Sequence, residues 1–396
     1  MSTTYTKGDL IEVKIEKVVP RGFGLGFAEN LTVLVPLAAP HDVLKVRIRE
    51  IKKHTAFAEI VEIVRRGPKR VAAPCQYYGA CGGCNFQHLD YEAQLAAKVG
   101  IIQDCLKRIG RIELDGDIAI IPSPNQFEYR SRARWHVDRA NRRIGYHRRD
   151  SNEVIDISTC PILTPGMQST LDYLRATIDW DMLWSDDSEI EAASGEGGHV
   201  STFSAELSEP PAELSIDLAG ENYSYTAETF FQGNRSIVEQ LVATAIGDAS
   251  GGTALDLYCG VGLFALPLAR RFRKVTGVEE NGLAVQFAKK NAGNAGLQNL
   301  NFVAKSVESF LLTDKKKKKL DFVLLDPPRS GTEKRTIPSI IELAPQRISY
   351  VSCEPSILAR DLRVFIDAGY KIVSMTALDL FPQTHHVETV VHLANA

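Results

Sequence analysis

Two sets of residues in this sequence could do chemistry. The first is a thiol and two carboxylates: Cys353 in SYVSCEP, Glu388 in FPQTHHVETV and Asp326 in LLDPPRSG. A cysteine thiolate can form a covalent intermediate, and a separate carboxylate can then act as general base. The expectation is that Cys353 attacks and Glu388 removes a proton. Read without its neighbours, Cys353 would be a buried cysteine at the end of a core strand. The second set is Cys75-x5-Cys81-x2-Cys84, with a distant Cys160 before Pro161. Gly82 and Gly83 allow the tight wrap that brings thiolates onto one centre. From spacing alone, zinc and a 4Fe–4S cluster both fit four thiolate ligands. The total of seven cysteines is odd, which argues against a disulfide framework. Cys105 in a helix and Cys259 in a glycine turn read as structural.

The first set needs a scaffold that gathers strand ends. From residue 235 onward, apolar strands alternate with amphipathic helices, the pattern of a doubly wound α/β sheet. In DLYCGVGLFALPLA a strand enters a turn whose Gly260 and Gly262 let the backbone approach a ligand closely. A second strand ends at Glu279, placed to accept ribose hydroxyls. The GxGxxG rule is not met, which weakens a nicotinamide reading. Residues 7–68 run as short β-rich segments punctuated by Gly and Pro, the pattern of a small OB-like β-barrel. Between them lies a central α+β region with the cysteines, a helix across YEAQLAAKVGIIQDCLKRIG and β-rich stretches from 126 to 160. The expected units are 1–68, 69–228 and 229–396.

Hydrophobic residues make up 44% and charged residues 24%, the balance of a soluble globular chain. No apolar run is long enough to span a bilayer and no signal peptide opens the sequence, so a cytoplasmic, non-membrane protein is expected. The net charge of −3 conceals an asymmetry: residues 181–228 hold twelve acids and no Lys or Arg, leaving the remainder at +9. Two basic regions, 1–75 and 98–150, suit phosphate contact. Arg130, Arg132 and Arg134 alternate on one strand face near Phe127 and Trp135, a pattern suited to RNA. The run Lys315 to Lys319 reads as a solvated loop.

Asp256-x-x-x-Gly260-x-Gly262 resembles motif I of class I S-adenosylmethionine methyltransferases. DPPR, SCEP and the terminal FPQTHHVE together resemble the RNA uridine-5 methyltransferases, which act on ribosomal RNA and on the T-loop of transfer RNA. The resemblance implies that Cys353 adds to carbon 6 of uracil, that carbon 5 takes the methyl group, and that Glu388 removes the carbon-5 proton. It also implies a TRAM-like barrel, an S-adenosylmethionine site at Gln232, Tyr258, Gly260, Gly262, Glu279 and Asp326, and a 4Fe–4S cluster on Cys75, Cys81, Cys84 and Cys160. Gln232 lies in Phe230-Phe231-Gln232-Gly233-Asn234, similar to the family's Phe-x-Gln-x-Asn. Leu263 and Ser306 depart from residues common at those family positions. Ribosomal RNA is favoured over transfer RNA, and no DNA partner is expected. One rival is a radical S-adenosylmethionine enzyme, but the Cys-x3-Cys-x2-Cys motif is absent. The other is a non-catalytic RNA-binding or assembly protein, against which stand both Cys353 and Glu388.

Overall fold

A computed structural model describes residues 5–114, 116–206, 210–313 and 320–395. The lysine run 315–319 lies outside the described residues. The N-terminal strands are β1 (Leu10–Val19), β2 (Phe23–Ala28), β3 (Leu31–Pro36), β4 (Val43–Lys52) and β5 (Thr55–Arg65). Burial alternates along β1 from Leu10 to Glu16, so Ile11, Val13 and Ile15 point inward while Glu12, Lys14 and Glu16 face water, until the register shifts between Ile15 and Lys17. The strands close into a barrel of order β1-β2-β3-β5-β4, with β3 and β5 parallel.

Helix α1 (Tyr91–Cys105) follows, its first turn capped by Asp90, which accepts from the Ala93 N–H. After the short strand β6 (Ala119–Ile121) come β7 (Arg132–Asp138), β8 (Arg143–His147), β9 (Val154–Asp156), helix α2 (Pro165–Thr177), β10 (Asp187–Ser194) and β11 (Val200–Phe203). These five strands after β6 pair as an antiparallel sheet, order β11-β10-β7-β8-β9, packed on Trp135, Met167 and Leu171. The hairpin β12 (Leu214–Leu218) and β13 (Glu221–Tyr225) leads into the last unit.

That unit runs α3 (Val238–Ile246), β14 (Gly251–Leu257), α4 (Ala265–Ala269), β15 (Phe272–Glu279), α5 (Gly282–Asn294), β16 (Leu300–Ala304), α6 (Val307–Thr313), β17 (Phe322–Leu325), α7 (Thr336–Leu343), β18 (Arg347–Ser352), α8 (Pro355–Asp367), β19 (Tyr370–Leu378) and β20 (Glu388–Asn395). The sheet order is β16-β15-β14-β17-β18-β20-β19-β6. Strands β14 to β18 are parallel and β20 is inserted antiparallel. Central strands such as FVLL are buried throughout, as a sheet covered on both faces requires. The strand order reverses between β14 and β17, and their carboxyl ends there mark the place for a ligand. Among the described residues no helix is long and apolar enough to cross a membrane.

Candidate active site

The loop after β14 is shaped for a ligand. Gly260 takes φ 52 and Gly262 φ 98, and a side chain at Gly262 would stand 2.7 Å from Leu266. A Cβ at Gly260 would meet nothing within 4 Å, so this backbone faces open space. Three of the sequence-predicted cofactor residues share this rim. Glu279 closes β15 and accepts the Gly260 N–H at 3.1 Å and the Asn281 N–H at 2.8 Å. Tyr258 holds a left-handed φ of 65, and its hydroxyl donates to Glu333. Asp326 follows β17, its carboxyl pushed up to about 7 by burial. Gln232 is buried, and among the described residues no hydrogen bond engages its side chain. Beneath the loop Asp256 is fully buried with both carboxylate oxygens unpaired, and burial and Asp326 push its pKa well up. The two departures have local uses: Leu263 is buried and its carbonyl accepts from the Tyr223 hydroxyl, while Ser306 Oγ accepts from Ser309 N–H at the start of α6.

The thiol and the base candidate meet through register. Ser352 pairs with Thr389 across β18 and β20, so the next step on each strand places Cys353 beside Glu388. Glu388 is buried, and its Oε1 has no hydrogen-bond partner. Burial and the nearby Asp326 push its carboxyl far above the usual range, against the pull of Arg329. Burial pushes the Cys353 thiol up to about 12, with Glu388 adding to the rise. The positive charge of the nearby Arg329 guanidinium opposes that rise. Arg329 also lies 5.7 Å over the Phe381 ring. Arg329, which follows Asp-Pro-Pro, is thus the cation nearest in effect to the thiol, a placement the sequence did not disclose.

The four-cysteine set converges as well. Cys75, Cys81, Cys84 and Cys160 line one cavity together with Arg130 and Tyr146. Backbone turns rather than regular elements bring them there: Gly82 N–H donates to His147 O, and Cys160 N–H donates to Gln168. Burial raises the thiols of Cys81 and Cys160 and carries Cys84 up to about 12. Among the described residues no group of three or more His, Cys, Asp or Glu is gathered as a single-ion site.

The arginine expectation needs correction. Arg130 turns inward to the thiol cavity and hydrogen-bonds the Arg132 carbonyl. Arg132 donates to Glu191 and to the carbonyls of Ala227 and Thr229. Arg134 pairs with Glu189 and Glu191 of β10. The acidic segment that unbalanced the charge therefore neutralises this face, which sequence spacing could not reveal. Cys105 and Cys259 are buried, as structural cysteines should be. His385 is held by Asn85, and its ring lies 4.1 Å from that of His386, tilted by 36°, so both are loop-bound.

Fold and rim together define a class I S-adenosylmethionine-dependent methyltransferase, with a TRAM domain matched at residues 5–61. Residues 211–396 match the family described as tRNA (Uracil-5-)-methyltransferase. The 23S rRNA (uracil(1939)-C(5))-methyltransferase RlmD of Klebsiella pneumoniae is 30% identical, over 98% of this chain and 96% of its own. A protein of Protochlamydia amoebophila named only as an RNA methyltransferase is 32% identical over 97% of both chains. The crystal structure of the Pyrococcus abyssi tRNA (uracil-54, C5)-methyltransferase, bound to S-adenosyl-L-homocysteine, superposes with TM-score 0.75 and 26% identity, covering 97% of this chain and all of that one. The chain belongs to the RNA uracil-5 methyltransferase family and is an S-adenosylmethionine-dependent enzyme of that kind.

Proposed function

We propose that Cys353 is the nucleophile and Glu388 the base of uracil C5 methylation, and that the target uridine lies in ribosomal RNA. The observation that carries this is the β18–β20 register that seats Cys353 beside Glu388, a buried carboxylate whose Oε1 has no hydrogen-bond partner. Carbon 5 of uracil is a poor nucleophile. Addition of the Cys353 thiolate at carbon 6 moves the ring electrons onto carbon 5 and O4. S-adenosylmethionine, when bound, supplies an electrophilic methyl group to carbon 5. Glu388 then takes the carbon-5 proton; that electron pair restores the 5,6 double bond and expels the Cys353 thiolate. Arg329 favours the thiolate at the start and the end. The rim fits the cofactor: the space before Gly260 is open, Glu279 can receive the ribose, and Asp326 follows β17, the strand next to β14 at the switch point. The uridine must leave its stack to reach the half-buried thiol.

A 4Fe–4S cluster on Cys75, Cys81, Cys84 and Cys160 is supported by the single cavity that all four line and by the resemblance of their spacing to the family's cluster site. Residues 1–68 would dock RNA, 69–228 hold the cluster and 229–396 transfer the methyl group. Full-length likeness to an enzyme named for 23S rRNA favours ribosomal over transfer RNA, at 30% against 26% identity.

The test is mass spectrometry of Cys353 after incubation with S-adenosylmethionine and RNA carrying 5-fluorouridine. Fluorine cannot leave as a proton, so a methylated Cys353–RNA adduct should persist on ribosomal RNA and not on transfer RNA. Cofactor binding without any adduct would overturn the assignment of Cys353; an adduct on transfer RNA alone would overturn the target.

A further inference from the structure

Between β19 and β20 the chain makes a strap, residues 379–386, and only Val387 separates it from Glu388. The strap is fastened from a distance in sequence. Gln383 sits at φ 69, a left-handed conformation that a non-glycine residue keeps only when its surroundings hold it. Its carbonyl accepts the N–H groups of Asn85 and Phe86, at 3.0 and 2.9 Å. Its own N–H donates to Gln94 Oε1 at 2.9 Å, and Gln94 Nε2 donates back to its side chain at 3.1 Å. Asn85 Oδ1 accepts the His385 N–H at 2.8 Å, and Asn85 Nδ2 meets His385 Nδ1 at 2.6 Å. Lys98 donates to the Phe381 carbonyl at 2.9 Å and pairs with Asp379, both charges fully buried. The barrel closes on the same point: a Cβ at Gly22 would lie 2.9 Å from Asn85 Nδ2 and 3.4 Å from His385 Cβ.

We propose that Asn85 and Gln94 are positioning residues that aim Glu388 at the carbon-5 proton through the strap, and that the barrel turn at Gly22 completes the clamp. This rests on Glu388 being the base. Neither residue lies on the sheet that carries the reacting groups, so neither is needed for thiolate addition or cofactor binding. A base displaced by about 1 Å loses much of its efficiency, commonly ~100-fold in rate. The effect should therefore fall on adduct discharge, not on adduct formation.

The experiment measures, in single-turnover reactions with ordinary uridine-containing ribosomal RNA, how fast the methylated Cys353 adduct forms and how fast it is released. Wild type, Asn85→Ala, Gln94→Ala and Glu388→Gln are compared, with S-adenosylhomocysteine affinity measured for each. The expected result is unchanged formation and affinity, with release slowed at least tenfold in both positioning variants and further in Glu388→Gln. Gln94 lies ten positions from Cys84 and decides the case if Asn85→Ala disturbs the thiol site. Slowed release in Gln94→Ala sustains the inference; release at the wild-type rate in Gln94→Ala overturns it. If Glu388→Gln itself accumulates no adduct, the assignment of the base falls, and this inference with it.

Discussion

The catalytic end and the thiol cavity are built by opposite means. Cys353 and Glu388 are neighbours because β18 and β20 pair in a fixed register, anchored by Ser352 and Thr389. A one-residue slip would turn every side chain of a strand to its other face, so the buried sheet enforces this pairing. The four cavity cysteines sit on turns and connections, held by single hydrogen bonds such as Gly82 to His147 and Cys160 to Gln168. One site is formed by the fold; at the other, burial raises the thiols of Cys81, Cys84 and Cys160. A site specified by sheet register and a site held by turns should therefore respond differently to substitution.

The largest effect should come from the sheet-built site. Cys353→Ala should lower methylation by about 10⁴-fold or more while leaving melting temperature and cofactor affinity near wild type, measured by methyl incorporation and calorimetry. Retained activity would sink the nucleophile assignment. Glu388→Gln should cost roughly 10²- to 10⁴-fold and trap the methylated adduct on ordinary uridine, visible as a slow gel band.

The loop-built site should respond in stability first. On the proposed 4Fe–4S assignment, Cys84→Ser should lose most bound iron and melt roughly 5 °C earlier, while the affinity for S-adenosylhomocysteine holds. An unchanged melting temperature together with full iron content would erase the contrast between the two sites.

Asp326 tests the cost of the catalytic end. An unfolded Asp loses its proton near pH 4, whereas burial holds the folded carboxyl up to about 7. Between these values the folded state binds the extra proton, so its contribution to stability falls as pH rises through that window. Asp326→Asn should therefore melt about 2 °C higher than wild type at pH 8, lose that advantage near pH 4, and be impaired in methylation. The smallest effect is expected at Arg134, half-exposed and shared between Glu189 and Glu191: Arg134→Ala should change RNA affinity less than about twofold. A much larger loss would restore the basic-face reading that the structure removes.

Much of the chemistry was legible in the residues themselves. Glycines at 260 and 262, an acid ending the next strand, and the Asp-Pro-Pro-Arg, Ser-Cys-Glu-Pro and terminal His-Val-Glu strings each carry a local conformational or chemical demand, and such demands are written residue by residue. The alternation of strands and helices set the fold class for the same reason, since periodicity is local. What sequence could not decide was which distant charges meet. The acids of β10 silence Arg132 and Arg134, Arg130 turns inward, and Arg329 reaches the thiol. Nor could it show that Asn85 and Gln94 hold a strap nearly three hundred residues away. Those outcomes depend on side-chain contacts between elements remote in sequence, and Coulomb and hydrogen-bond energies fall off over a few ångströms in space, whatever the distance along the chain.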